Sequence, residues 1–174
     1  MNFLKKATFV TILFFTFENH LFSQVPHYVD FKYVLNESKA GKAAQDFLKK
    51  KLDNGINSLK NKENSIKEEE KKVIKQRKLI SADEYKKKVN ELRNKVSKLQ
   101  KDRDNLFESV SNQRAKARNE LLKNLNPIIK EYMKEKKIRM VLDKKSLLLA
   151  DENLDITKDI VKILNNKLKS IKLN

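Results

Sequence analysis

The chain has 174 residues, 40 Lys and Arg against 23 Asp and Glu, two Gly, two Pro, two His and neither Cys nor Trp. A net charge of +17 at pH 7 draws acidic polypeptides, anionic lipid or nucleic acid, whereas the missing Cys and scarce His exclude disulfides, thiol chemistry and a His-based metal or catalytic cluster. So little Gly and Pro leaves few tight turns, and abundant Lys, Glu, Leu and Asn with apolar residues at helical spacing point to long helices or coiled coil.

Residues 1–23 read as an export signal. Lys5 and Lys6 precede an apolar run over 7–17 (ATFVTILFFTF). That run is about 11 residues, too short for a span of about 20 and suited to a signal-peptide core. Residues 18–23 (ENHLFS) make a more polar end to the leader, and the small Ser23 offers a cleavage site.

The mature chain opens on a short β-prone segment, His27-Tyr28-Val29-Asp30, after Pro26. Asp30 can cap a helical turn over 31–35, and Ser38 can start a long helix through Ala40, Ala43 and Ala44. From about 45 to 79 the apolar residues Leu48, Leu52, Ile56, Leu59, Ile66 and Val73 keep heptad spacing, with Glu63 and Glu70 at skipped seam positions. Gly55 falls inside this helix, where it costs roughly 1 kcal/mol against Ala; a tolerated surface glycine is the favoured reading over a bending point.

The break at 79–84 carries a helix-start signal. Ser81 followed by Glu84 forms a capping box, with Ile80 and Tyr85 placed to staple it. The next helix steps by four and three through Tyr85, Val89, Leu92, Val96, Leu99, Arg103, Leu106, Val110, Gln113 and Ala117. A strict 3.5-residue period implies a left-handed supercoil. So short a connection makes the two helices antiparallel neighbours, with residues near Ala44 facing residues near Ala117.

From Leu121 to Met133 the apolar stripe widens, which predicts burial in a body; Pro127 can kink the helix there or start a new one. Residues 138–143 and 147–150 read as two strands of a hairpin around Lys144-Lys145-Ser146. Asp155-Ile156-Thr157-Lys158 opens a last amphipathic helix through Ile160, Val161, Ile163, Leu164, Leu168 and Ile171. Three short strands leave open edges and too small a core, which predicts oligomerisation.

The fold class expected is mainly α with a small β portion: a long antiparallel coiled-coil hairpin arm, 44–118 with its tip near 79–84, projecting from a small β-containing oligomerisation body, 24–43 and 119–174. Tyr28-Val29-Asp30 followed by Val34-Leu35-Asn36-Glu37-Ser38-Lys39-Ala40-Gly41-Lys42-Ala43, with residues 138–143, 147–150 and Asp155-Ile156-Thr157 at the other end, resembles the Skp/OmpH family of periplasmic chaperones. The resemblance spans the mature chain and implies a jellyfish-like homotrimer. Its arms would surround a cavity that holds unfolded outer-membrane β-barrel proteins without ATP.

The expected function is thus a periplasmic holdase, neither an enzyme nor cofactor-dependent. Candidate client-binding residues are Lys60, Lys67, Lys71, Lys75, Arg77, Lys78, Lys86, Lys87 and Lys88, with Leu79, Ile80 and Tyr85 at the tip. The alternative is a structural envelope spacer whose basic arms rest on an anionic lipid surface. Nucleic acid is not an expected partner: an exported chain rarely meets it, and the arms hold few aromatics for base stacking beyond Tyr85 and Phe107. No phosphate loop, metal cluster or nucleophile–base pair suggests catalysis. Asp30, Asp143 and Asp155 read as caps and turn residues.

Overall fold

A computed structural model of the chain describes residues 25–173; the expected leader over 1–23 lies outside them. The described residues are mainly helical with a small parallel strand portion. Strand β1 (His27–Val29) leads into α1 (Phe31–Glu37), α2 (Lys39–Gln76) and α3 (Ala82–Glu135), followed by β2 (Val141–Asp143), two 3-10 turns and α4 (Thr157–Lys167).

The first three helices, α1, α2 and α3, begin where a polar side chain can accept their free amides. Asp30 Oδ1 accepts from Tyr33 N at 2.8 Å, Ser38 Oγ from Gly41 N at 3.1 Å and Ser81 Oγ from Glu84 N at 3.2 Å. Such caps are typically worth ~1 kcal/mol. α2 ends at Gln76, and residues 77–81 reverse the chain so that α3 returns along α2. α3 continues as one helix through Pro127. A proline inside a helix removes one backbone bond, at a cost of about 3 kcal/mol. The burial of Leu125, Ile128 and Tyr132 on either side of it offsets that loss.

Two apolar clusters organise the molecule. The larger draws on both chain ends: Val29, Val34 and Ala40 from the N-terminal side, with Leu121, Leu125, Ile128, Tyr132, Ile156, Ile160 and Leu164 from the C-terminal side. Polar bonds lock these ends together. Asp30 N donates to Thr157 Oγ1 at 2.8 Å, and Lys39 N donates to Asn165 Oδ1 at 2.7 Å. The smaller cluster sits at the base of the helix pair, where Ala44, Leu48, Val110 and Ala117 meet Leu173. The expected facing of Ala44 and Ala117 is therefore seen.

The strands depart from expectation. β2 pairs in parallel with β1, His27 opposite Val141 and Val29 opposite Asp143, instead of folding back on a following strand. Residues 147–150 form no strand in the single chain. The reason is local: Asp143 Oδ1 accepts from Lys145 N at 3.2 Å and Leu147 N donates to Lys144 O at 3.1 Å, so 144–146 winds into a 3-10 turn. On the other side of β1, Tyr28 bridges Asp155, and Ile156 N donates to Tyr28 O at 3.0 Å. Asp155 Oδ1 in turn accepts from Thr157 N at 2.9 Å, so Asp30, Asp143 and Asp155 all hold backbone amides.

The last helix also stops earlier than expected. α4 ends at Lys167, Leu168 is extended, and the tail turns back so that Leu173 is buried against the helix pair. Ile171 touches both clusters. Burial of Leu173 at the base of α2 and α3 favours this path over another helical turn.

At the end of α3, Lys137 adopts φ 56°, the left-handed conformation that closes a helix. Ile138 N donates to Met133 O at 2.8 Å across it. A side chain there costs about as much as glycine would relieve, so Lys137→Gly is expected to raise stability by about 0.5–1 kcal/mol. A urea melt of the variant at the same protein concentration reads this; an unchanged or lower midpoint contradicts it.

A titrating contact lies in the core. Tyr132 Oη donates to Asp159 Oδ2 at 2.6 Å, and burial, then this carboxylate, push the phenol up from 10 to about 12. A raised pKa means the folded chain keeps this proton longer than the unfolded chain. The contribution to stability is whole below pH 10 and is lost as pH rises from 10 through 12. Absorbance titration should find one phenol still protonated beyond pH 11, absent in Tyr132→Phe. That variant should also lose less stability than the parent between pH 10 and 12.

Candidate functional site

Among the described residues no group of three or more His, Cys, Asp or Glu is placed to hold a metal ion. No helix among them is long and apolar enough to cross a membrane. The surface with the most unusual chemistry is the helix pair itself. At ~1.5 Å per residue, the 38 residues of α2 extend about 57 Å, and most of the positive excess falls between residues 41 and 126.

The seam between the helices is thinner than its heptads suggest. Leu48, Leu59, Val110 and Ala117 are buried, with Leu52, Leu106, Ile66 and Leu99 partly covered. Ile56 was expected in the seam, but Gly55 takes that place. A Cβ on Gly55 would lie 2.4 Å from Leu106 Cδ1. Gly55 is therefore no surface glycine: its missing side chain lets Leu106 rest on the α2 backbone and turns Ile56 outward. Val96 and Arg103, also expected in the seam, are exposed. A seven-residue repeat drifts about 20° per heptad on a straight helix, which carries such positions to the edge.

The two flanks of this seam differ. On one, polar bonds cross from helix to helix. Lys51 Nζ donates to Ser109 Oγ at 2.9 Å, Lys62 pairs with Asp102 at 2.6 Å and Lys95 pairs with Glu69. The Lys62 hydrogen bond holds the Asp102 carboxyl below the usual carboxylate range. On the other flank, a groove between the helices is lined by Leu52, Val110, Arg114 and Arg118. One turn beyond Leu52 and before Ser111 come Ile56 and Phe107, followed along the same flank by Val96 and Ile74. These four are 44%, 52%, 53% and 58% exposed respectively. Here Glu63 is held below its usual range, first by the Lys67 hydrogen bond and then by the Lys67 and Arg103 charges.

Most of the residues singled out from the sequence gather at the distal end, with Lys60 about halfway along α2. Lys60, Lys75, Arg77, Lys78, Lys86 and Lys87 are exposed and form no ion pair among the described residues. Lys67 pairs with Glu63 at 2.8 Å, Lys71 with Glu68 at 2.7 Å and Lys88 with Glu84 at 4.0 Å. The Lys71 ammonium is raised by its Glu68 hydrogen bond. Such exposed pairs mainly orient side chains. Leu79 is 80% exposed at the turn, with Ile80 and Tyr85 partly covered. The sequence reading did not name Ile56, Ile74, Val96 or Phe107 as client contacts; their 11- and 18-residue spacings, whole numbers of helical turns, were the available signal.

The family model for outer membrane protein (OmpH-like) matches residues 27–164. A crystal structure of a candidate outer membrane chaperone (OmpH-like) from Caulobacter crescentus CB15 superposes with a TM-score of 0.79 at 21% identity, covering 85% of this chain and 89% of that one. At that identity the likeness establishes the fold. No curated protein matches the chain.

Proposed function

Because the chain belongs to the OmpH-like family of outer membrane proteins, we propose that it is an ATP-independent periplasmic holdase, exported by a cleaved leader over 1–23 and assembled as a homotrimer. Three helical hairpin arms would enclose a cavity and keep unfolded outer-membrane β-barrel proteins from aggregating. The observation that carries this reading is the long α2–α3 pair, which leaves a basic surface dotted with apolar side chains in solvent. Such a surface attracts acidic and amphipathic unfolded chains by its field and shields them by weak apolar contact.

The trimer has its own support. β1 and β2 form a two-stranded sheet, too small to stand unaided. Beside it Leu148 and Leu149 are 97% and 91% exposed. Neighbouring large apolar side chains this exposed suit a surface that other copies cover. The double variant Leu148→Ser/Leu149→Ser should weaken the oligomer by about tenfold or more, measured by sedimentation across a dilution series. An unshifted mass would remove these leucines from the interface.

The function is tested by diluting a urea-unfolded eight-stranded outer-membrane β-barrel protein into buffer with the mature chain and no nucleotide. Light scattering should stay flat, and native mass should give one client per trimer. A client that aggregates at its unaided rate, or a chain that is a compact monomer in dilute buffer, overturns the proposal.

A further inference from the structure

We propose that each helix pair holds clients on one flank only, the one bearing Ile56, Ile74, Val96 and Phe107, and that this flank takes an extended polypeptide whose apolar side chains alternate with acidic ones. The proposal rests on the holding function above and assigns its face.

The two flanks are built for different ends. The flank of Lys51, Lys62 and Lys95 spends its polar groups across the seam, on Ser109, Asp102 and Glu69. Those bonds fix the register of α2 against α3. The opposite flank leaves its apolar side chains in water. Of the six large apolar residues exposed on the helix pair and its turn, four lie there; Phe47 falls on the other side near the base, and Leu79 is at the turn.

Their spacing defines what fits. Ile56 and Ile74 are separated by five helical turns and so share one angular position, about 27 Å apart at ~1.5 Å per residue. Val96 and Phe107 are separated by three turns, about 16 Å. An extended chain rising ~3.3 Å per residue spans the longer distance with about eight residues and presents alternate side chains to one face. Discrete apolar points with charge between them suit side chains better than the continuous hydrocarbon of a lipid.

Charge selects the occupant further. Lys49, Lys60, Arg93, Arg103 and Arg114 fall on this flank against Glu63, already held by Lys67, and Glu70, which lines a pocket beside Lys67 and Ile74, so the basic side chains outnumber the acidic ones. A second copy of the same flank would be repelled, whereas an acidic segment is attracted. Each contact is half-exposed and weak, so a client is held at several points and released without an energy source.

The absence of Cys and the exposure of the four residues make the test clean. Ile56→Ser/Val96→Ser/Phe107→Ser is compared with Ser58→Ala/Ser65→Ala/Asn105→Ala on the other flank. The probe is a fluorescently labelled, urea-unfolded eight-stranded outer-membrane β-barrel protein. Circular dichroism and native mass are recorded for each chain. The first variant is expected to raise Kd by about tenfold, with helicity and oligomer mass unchanged, and the second to stay within about twofold. Equal Kd in the two variants overturns the face. So does a changed oligomer mass in the first, which would mean that a second copy covers this flank. Loss confined to phosphatidylglycerol vesicles, with client binding intact, means a lipid surface and also overturns it. A parent chain that fails to hold the client removes the proposed function itself; a parent that holds, with an unaffected first variant, removes only the face.

Discussion

Gly41→Ala is expected to destabilise the chain by about 1–3 kcal/mol, the range of a forced steric overlap in a packed site. A Cβ at this position would lie 2.0 Å from the Leu35 carbonyl oxygen, 2.8 Å from its carbon and 2.9 Å from Ser38 Oγ. The first two are backbone atoms of α1 and cannot rotate aside. α1 cannot easily retreat, because the buried Val34 anchors it and Asp30 caps it. The same substitution improves helix propensity by about 1 kcal/mol, which the overlap exceeds. Thermal and urea melts at fixed protein concentration give the answer, since association shifts apparent stability. A variant as stable as the parent would mean that α1 does not close over the start of α2 in solution. Gly55 offers the contrast. Its neighbour is the Leu106 side chain, which can swing away, so Gly55→Ala should cost less than Gly41→Ala.

Ile160→Ala should cost about 2–5 kcal/mol, as for other large-to-small changes in a closed core. Ile160 is fully buried, in a cluster with Val34, Ala40, Leu121 and Leu125. These neighbours come from distant parts of the sequence, so the cavity cannot be filled by a local shift of one segment. Loss of Ile160 should therefore loosen the docking of α1 and the start of α2 together, visible as faster amide exchange at Val34 and Ala40. Leu79→Ala, at the exposed turn, serves as control and should stay within about 0.5 kcal/mol. A variant at position 160 that behaves like the control would show that this core does not hold the two chain ends.

Much of the helical architecture was legible because its causes are local. Asp30, Ser38 and Ser81 announce their helices through short polar side chains just ahead of apolar periodicity, and all three accept the expected amides. The wide apolar stripe after Leu121 announced the core, and Leu121, Leu125 and Ile128 are buried there. The exposed apolar flank was harder to see. Ile56 and Val96 satisfy a heptad on paper, and only the approach of Leu106 to Gly55 shows which neighbour the seam uses. The basic distal residues proposed as contacts are visible in any reading of charge, but charge alone does not distinguish one flank from the other.

By itself the sequence determined helix starts, the chain reversal before Ser81, the basic character of the helix pair and family membership, all of which depend on contiguous residues or on their ordered pattern. The tertiary structure decided what required distant partners. It set β2 parallel to β1 rather than in a hairpin, laid the tail with Leu173 against the base of the helix pair, placed Gly41 under the Leu35 carbonyl and turned Ile56 outward. The physical reason is the same in each case. A cap or a period costs and gains free energy within one turn of chain, whereas strand partners, close backbone contacts and seam register depend on which remote surface arrives, and nothing in a local window specifies that.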